Sequence, residues 1–240
     1  MNATEHIIDC KQLTFSWPGE TRSILDIADM SVSRGQRVFL RGPSGSGKTT
    51  LLSLLSAIMK PEAEKLSVGG IDLLILDGAR ADRFRAEHLG LIFQQFNLLP
   101  FMSVRENVTL PCRFSPERKA RATASGSTLT EEADRLLAAM QLPAQVFTAS
   151  STMQLSVGQQ QRVAVARALI GKPSLVIADE PTSALDTDSR AAFLDLLFSE
   201  LDSSAASLLF VSHDRSLADR FDKVLDMQAI NRVHLSEEHV

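Results

Sequence analysis

The sequence predicts an α/β domain, in which a parallel sheet flanked by helices carries a helical insertion in the middle of the chain. Three observations predict it. The apolar run "QRVFLRG" passes through the glycine-rich stretch "GPSGSGKT" into "KTTLLSLLSAIM", whose apolar residues have helical spacing; strand, glycine loop and helix in that order make an α/β unit. Beyond residue 173, "SLVIADE" and "SLLFVSHD" are nearly continuous apolar runs, the pattern of strands buried on both faces. Between them "SRAAFLDLLFSEL" reads as a helix, and the stretch from about 97 to 170 is mostly helical in pattern.

In chain order, "HIIDCKQLTFSW" and "ILDIADMSV" are rich in β-formers and read as early strands. "KLSVGGIDL" reads as a hairpin around Gly69-Gly70, and "LGLIFQQ" as a strand that runs into a polar stop. Ser103 with Glu106, and Thr128 with Glu131, offer capping boxes at helix starts. Between them "FSPERKARATASGST" is polar, with Pro, Gly and Ser, and is expected to be an exposed excursion. "KVLDMQAINRVH" fits a last strand and a short tail, and the chain shows no internal repeat.

The 240 residues are enough to bury one substantial core, and 44% hydrophobic with 22% charged residues is ordinary for a soluble globular protein. A net charge of −4 gives no reason to expect a nucleic-acid partner, which would call for a basic face. Cys10 and Cys112 lack the spacing of a zinc site or a disulfide framework and suit a reducing compartment. The start "MNATEHIIDCKQ" has neither the basic end nor the apolar core of a signal peptide, and no apolar run approaches the ~20 residues of a membrane span. The expected location is therefore the cytosol, with any membrane role exerted through a partner.

Residues Gly42 to Thr49 match the P-loop pattern G-x-x-x-x-G-K-[ST]. Gly42, Gly45 and Gly47 permit close approach to phosphate oxygens, and successive N–H groups form an anion nest at a helix N-terminus, with Ser44, Ser46 and Thr50 among the phosphate-binding candidates and Pro43, which has no N–H, a candidate only as part of the loop. Lys48 is placed to neutralise the β- and γ-phosphates of a nucleotide, and the Thr49 hydroxyl to bind Mg²⁺. "SLVIADE" supplies the other half. Its strand ends in Asp179, a candidate Mg²⁺ carboxylate, followed by Glu180, a candidate general base for a water that attacks the γ-phosphate.

A second anion site stands at "LSVGQ", residues 155–159. With Ser156 as N-cap, Gln159 falls three residues on, and S-x-x-Q is itself a capping box, so Ser156 could simply cap its own helix. Gly158, however, sits in the first turn, where glycine costs helix stability and makes sense if something approaches the backbone. A domain whose own P-loop wraps a nucleotide has no use for a second phosphate site. We therefore expect two chains head to tail, each P-loop facing the other chain's "LSVGQ".

These motifs, in this order over nearly the whole chain, resemble the ATP-binding-cassette (ABC) ATPases. The resemblance implies a P-loop NTPase fold with a mainly parallel central sheet, an antiparallel N-terminal β part and an inserted helical sub-domain at about 97–172, the core being 1–96 and 173–240. It matches Trp17 to the aromatic that stacks on adenine, with Phe15 the competing candidate, and Gln94 to the glutamine that senses Mg²⁺ near the transmembrane coupling surface. Asp186 in "SALD" matches the loop that crosses the dimer interface, and His213 the histidine on the γ-phosphate. His6, His88, His234 and His239 match nothing and read as surface or packed histidines. Val157 departs from the family's usual glycine, but as the first helical residue it takes an ordinary negative φ that tolerates a β-branched side chain.

The resemblance further implies ATP and Mg²⁺ as cofactors, a homodimer, and a separately encoded transmembrane permease on the inner face of the plasma membrane. "ENVTLP" is similar to the lipoprotein-releasing and macrolide-export group, although amino-acid importers share much of that stretch. Three readings stay open: an export or envelope-release subunit for lipoprotein, peptide or drug; an importer ATPase; and a non-transport cassette, of the kind found in cell division, repair or translation.

Overall fold

The computed structural model describes residues 5–183 and 185–233, apart from the side chains of residues 187 and 188; His234 and His239 lie outside the described residues. In chain order the elements are β1 (His6–Ser16), β2 (Ser23–Ser33), β3 (Arg37–Arg41), α1 (Lys48–Leu55), β4 (Lys65–Val68), β5 (Ile71–Asp72), α2 (Gly78–His88), β6 (Leu89–Ile92), α3 (Val104–Thr109), α4 (Pro111–Phe114), α5 (Pro116–Ala122), α6 (Leu129–Ala139), α7 (Ala144–Phe147), α8 (Val157–Leu169), β7 (Leu175–Asp179), α9 (Thr187–Ser204), β8 (Ser207–Val211), β9 (Lys223–Asp226) and α10 (Met227–Ile230). They form two compact units, residues 5–82 with 207–233, and residues 83–206.

The first unit holds an antiparallel sheet in the order β2-β1-β4-β5 and the parallel strands β8-β3-β9. The Gly69-Gly70 hairpin forms as the sequence predicts. Val68 pairs with Ile71, and both glycines take positive φ, 66° and 88°, which a two-residue turn matched to strand twist requires. Central strand β3 buries Val38, Phe39 and Leu40 completely. Phe39 stacks on Phe210 of β8 with ring centroids 6.2 Å apart, and Phe221 lies 5.2 Å from each, so one aromatic cluster fastens β3 to β8.

The second unit pairs β6 and β7 in parallel and surrounds them with helices. All three capping boxes read from the sequence form: Ser103 with Glu106, Thr128 with Glu131, and Ser156 with Gln159. Helix α8 packs closely on β6. A side chain at Gly90 would bring its Cβ to 2.4 Å from the carbonyl oxygen of Ala168, so only glycine fits.

The polar excursion departs from expectation. Its first half folds as α5, capped by Ser115, and turns Arg118 into the core at 1% exposure. The Arg118 guanidinium donates to the carbonyls of Ile170 at 2.8 Å, Ala168 at 2.7 Å, Leu89 at 2.6 Å and Ala86 at 3.0 Å. The last carbonyls of a helix have no partner within it, and here a buried cation supplies the donors at the end of α8. Burial draws the Arg118 pKa down to about 10, which leaves it charged at neutral pH. The tail differs too, since Met227–Ile230 closes the last strand with a short helix rather than open chain.

Candidate functional site

In the first unit, residues 42–47 link β3 to α1. Gly47 is the N-cap of α1 at φ 92°, and a Cβ there would strike Leu25 Cδ2 at 2.6 Å. Gly42 is required by space instead, because its Cβ would meet Ser46 Oγ at 2.7 Å and Met227 Cβ at 2.8 Å. The Lys48 ammonium closes the loop on itself, donating to the Gly42 carbonyl at 2.8 Å and the Pro43 carbonyl at 2.9 Å. Thr49 is exposed at the helix start, Thr50 half-buried behind it, and Pro43, Ser44 and Gly45 lie on the surface. Ser46 Oγ is buried without a hydrogen-bond partner among the described residues.

The loop is braced by a residue the sequence did not single out. Asn231, fully buried, accepts the Asp26 N–H at 2.9 Å and donates to the carbonyls of Ile24 at 3.0 Å and Ser46 at 3.3 Å. Trp17 follows β1 and is 43% exposed, edge-on to buried Phe15 at 5.4 Å, so Trp17 is the ring of the pair that faces solvent. His213 stands exposed beyond β8.

In the second unit, Asp179 is the half-buried end of β7, after four buried residues. Glu180 follows with φ 47°, a left-handed backbone that costs a non-glycine residue about 1–3 kcal/mol and persists where neighbours over-determine it. One such neighbour is Gln161 of α8, 1% exposed, whose side-chain amide donates to the carbonyl of Pro181. Gln94 is exposed beyond β6. Because Ile92 pairs with Ala178, Gln94 and Glu180 are each two residues past matching positions of neighbouring strands.

Ser156 is the N-cap of α8, accepting the Gln159 N–H at 3.3 Å, while Gln159 Oε1 accepts the Ser156 N–H at 3.0 Å. Val157 is 55% exposed as the first helical residue. The other two boxes use glutamate where this one uses glutamine. Backbone N–H and hydroxyl donors of Ser103 and Thr128 hold the carboxyls of Glu106 and Glu131 below the usual glutamate range, keeping them charged at those helix starts. Gln159 makes the same backbone contact without a negative charge, which leaves the positive end of the α8 dipole uncancelled. Asp186 caps α9 through the Ser189 N–H at 2.9 Å. Ser156, Gly158 and Gln159 share one cleft of about 270 Å³ with Leu185, which precedes that cap, and Ser189, which binds it.

The candidate metal donors are a hydroxyl (Thr49), a carboxylate (Asp179) and an amide oxygen (Gln94), hard oxygen donors of the kind Mg²⁺ takes. No cluster of three or more His, Cys, Asp or Glu suited to a metal occurs among the described residues.

The model of the ABC transporter family matches residues 25–183. The lipoprotein-releasing system ATP-binding protein LolD of Shewanella sp. (strain MR-4) is 38% identical over 87% of this chain and 86% of its own length. The uncharacterised ABC transporter ATP-binding protein YbbA of Escherichia coli K12 is also 38% identical, over 85% of each. Among solved structures, the dimeric post-hydrolysis state of the ATP-binding cassette MJ0796 with ADP and phosphate superposes with a TM-score of 0.75, at 30% identity over 91% of this chain and 93% of that one. CbiO1 of Clostridium perfringens, part of the ABC transporter complex cbiONQ, shares the fold with a TM-score of 0.77 at 23% identity over 92% of this chain and 84% of that one.

Proposed function

This chain belongs to the ABC transporter family and is an ATPase of it, binding ATP and hydrolysing it to ADP and phosphate in a reaction coupled to transport; we propose that two copies close head to tail around two ATPs and drive a separate membrane permease. In each site the P-loop of one copy, Gly42 to Thr50, wraps the phosphates and Trp17 stacks on the adenine. Thr49 and Asp179 hold Mg²⁺, with Gln94 sensing it. Glu180 takes the proton of the attacking water, and His213 contacts the γ-phosphate. The other copy supplies Ser156, Gly158 and the start of α8, with Asp186 at the interface.

One observation carries this reading. Among the described residues a Cβ built on Gly158 meets no atom within 4 Å outside its own turn of helix, and its backbone is not left-handed, so none of them calls for glycine there. Glycine inside a helix nevertheless costs about 0.5–1 kcal/mol against alanine. The compensation lies outside one copy of the chain, and an anion on the α8 N-terminus supplies it.

The permease reading is supported by apolar ground beyond Gln94. Phe101 is 81% exposed and Met153 73%, and the two segments are joined by the Ser151 hydroxyl, which donates to the Pro100 carbonyl at 2.8 Å. No described helix is long and apolar enough to cross a membrane, so membrane attachment through a partner on the inner face of the plasma membrane fits. The "ENVTLP" stretch and the LolD relatives favour export or envelope release of lipoprotein, peptide or drug.

The test is a pull-down of the tagged Glu180→Gln chain from detergent-solubilised native membranes, with partners identified by mass spectrometry. We expect a permease of few spanning helices with a large extracytoplasmic domain. A many-helix permease with a solute-binding protein turns the answer to import, and recovery of no membrane protein overturns the permease reading.

A further inference from the structure

Arg167 lies near the C-terminal end of α8 and is 8% exposed. Its guanidinium donates to the Asn97 carbonyl at 2.6 Å and the Phe96 carbonyl at 2.5 Å. Both acceptor residues have positive φ, 59° at Phe96 and 49° at Asn97, a conformation that survives in non-glycine residues only where the surroundings impose it. The turn is closed locally by the Phe96 N–H on Phe93 at 2.9 Å and the Asn97 N–H on Gln95 at 2.6 Å. Downstream, buried Asn107 accepts the Leu99 N–H at 2.8 Å and donates to the carbonyls of Leu99 at 3.0 Å and Met102 at 3.2 Å. The chain is thus pinned from Phe96 to Met102, and exposed Gln94 stands just ahead of the pinned segment.

Val163 to Ala166 and Ala168, around Arg167 on α8, are buried, and an apolar residue would avoid taking a cation out of water. The cation is kept where two carbonyls of one strained turn converge on it. We infer that Arg167 is a positioning residue for Gln94, its planar fork fixing the turn from which that side chain reaches its target. The inference rests on the role given to Gln94 above. The same helix holds the loop after β7 through Gln161 and Pro181, and carries Ser156 about 16 Å away at its N-cap. One helix therefore holds both the backbone beside Gln94 and the backbone beside Glu180.

A double-mutant cycle on the full chain tests this, with steady-state hydrolysis of Mg-ATP and binding of a fluorescent ATP analogue as readouts. Lysine keeps the charge but not the two-pronged geometry. Arg167→Lys is expected to lower kcat about 3- to 10-fold, with KM and analogue affinity within about twofold of wild type. Added to Gln94→Ala, it is expected to cost nothing further. Equal losses in both backgrounds, or a loss confined to KM, overturn the inference while leaving Gln94 in its role. A wild-type kcat in Gln94→Ala removes the role itself, and the inference with it. Should Arg167→Lys fail to fold, Asn97→Pro approaches from the loop side, since proline holds φ near −65° and turns the exposed residue's carbonyl away from the guanidinium. The same kcat-specific loss is expected there, and an unchanged kcat overturns the inference.

Discussion

Gln94 and Glu180 stand in register, each two residues beyond the paired Ile92 and Ala178 of neighbouring parallel strands. Side chains at the carboxyl edge of such strands face the place where open α/β folds bind ligands. Two residues that lie 86 positions apart in the chain are brought just beyond the ends of neighbouring strands by strand pairing, and buried side chains of α8 then grip both loops.

Glu180→Gln keeps the shape of the side chain and removes the base. Hydrolysis is expected to fall about a hundredfold or more, while ATP binding persists and the dimer stays locked. Gel filtration with Mg-ATP checks this, and a strictly monomeric variant even with its permease contradicts it.

Lys48→Ala removes the ammonium that now bridges the Gly42 and Pro43 carbonyls and that nucleotide phosphates would claim. Binding of a fluorescent ATP analogue is expected to be lost. Affinity retained in the nanomolar-to-micromolar range contradicts the P-loop assignment.

Gln159→Glu separates capping from anion binding. Glutamate makes the same capping contact and gains about 0.3–1 kcal/mol from the helix dipole, so thermal stability is expected to hold or rise slightly. The added charge stands where a γ-phosphate is proposed to sit, and hydrolysis is expected to fall at least about tenfold. Undiminished hydrolysis in a folded variant means that no anion uses this helix end.

Arg118→Leu leaves four interior carbonyls without their donor. Breaking such a buried polar cluster from one side is expected to cost about 3–5 kcal/mol, read from urea unfolding. A cost under about 1 kcal/mol contradicts the account of how α8 is terminated.

The legible part of this protein is the part written in short stretches. The P-loop, the "LSVGQ" cap, "SLVIADE" and the Gly69-Gly70 turn each need only their neighbours to form, and their residue types carry the reason. What the sequence hid is long-range and made by backbone acceptors. Arg118 reaches carbonyls up to 52 residues away, Arg167 up to 71 and Asn231 as many as 207, and a carbonyl acceptor leaves no trace in residue identity. Helix α2 is equally illegible, because in "GARADRFRAEH" only Ala81 and Phe84 are apolar and buried, too few to set a period. Arg118 shows how such a stretch misleads: a polar run reads as surface although one of its charges is a core donor.

The central claim, that each nucleotide is shared between two copies, is tested most directly by mixing. Lys48→Ala and Ser156→Ala proteins are each expected to be inactive, because every site in either homodimer lacks one half. In the mixed dimer one site joins an intact P-loop to an intact "LSVGQ", so ATPase activity is expected to return, to roughly a quarter of wild type for random pairing of independent sites. Activity no higher than that of either mutant alone contradicts the shared site.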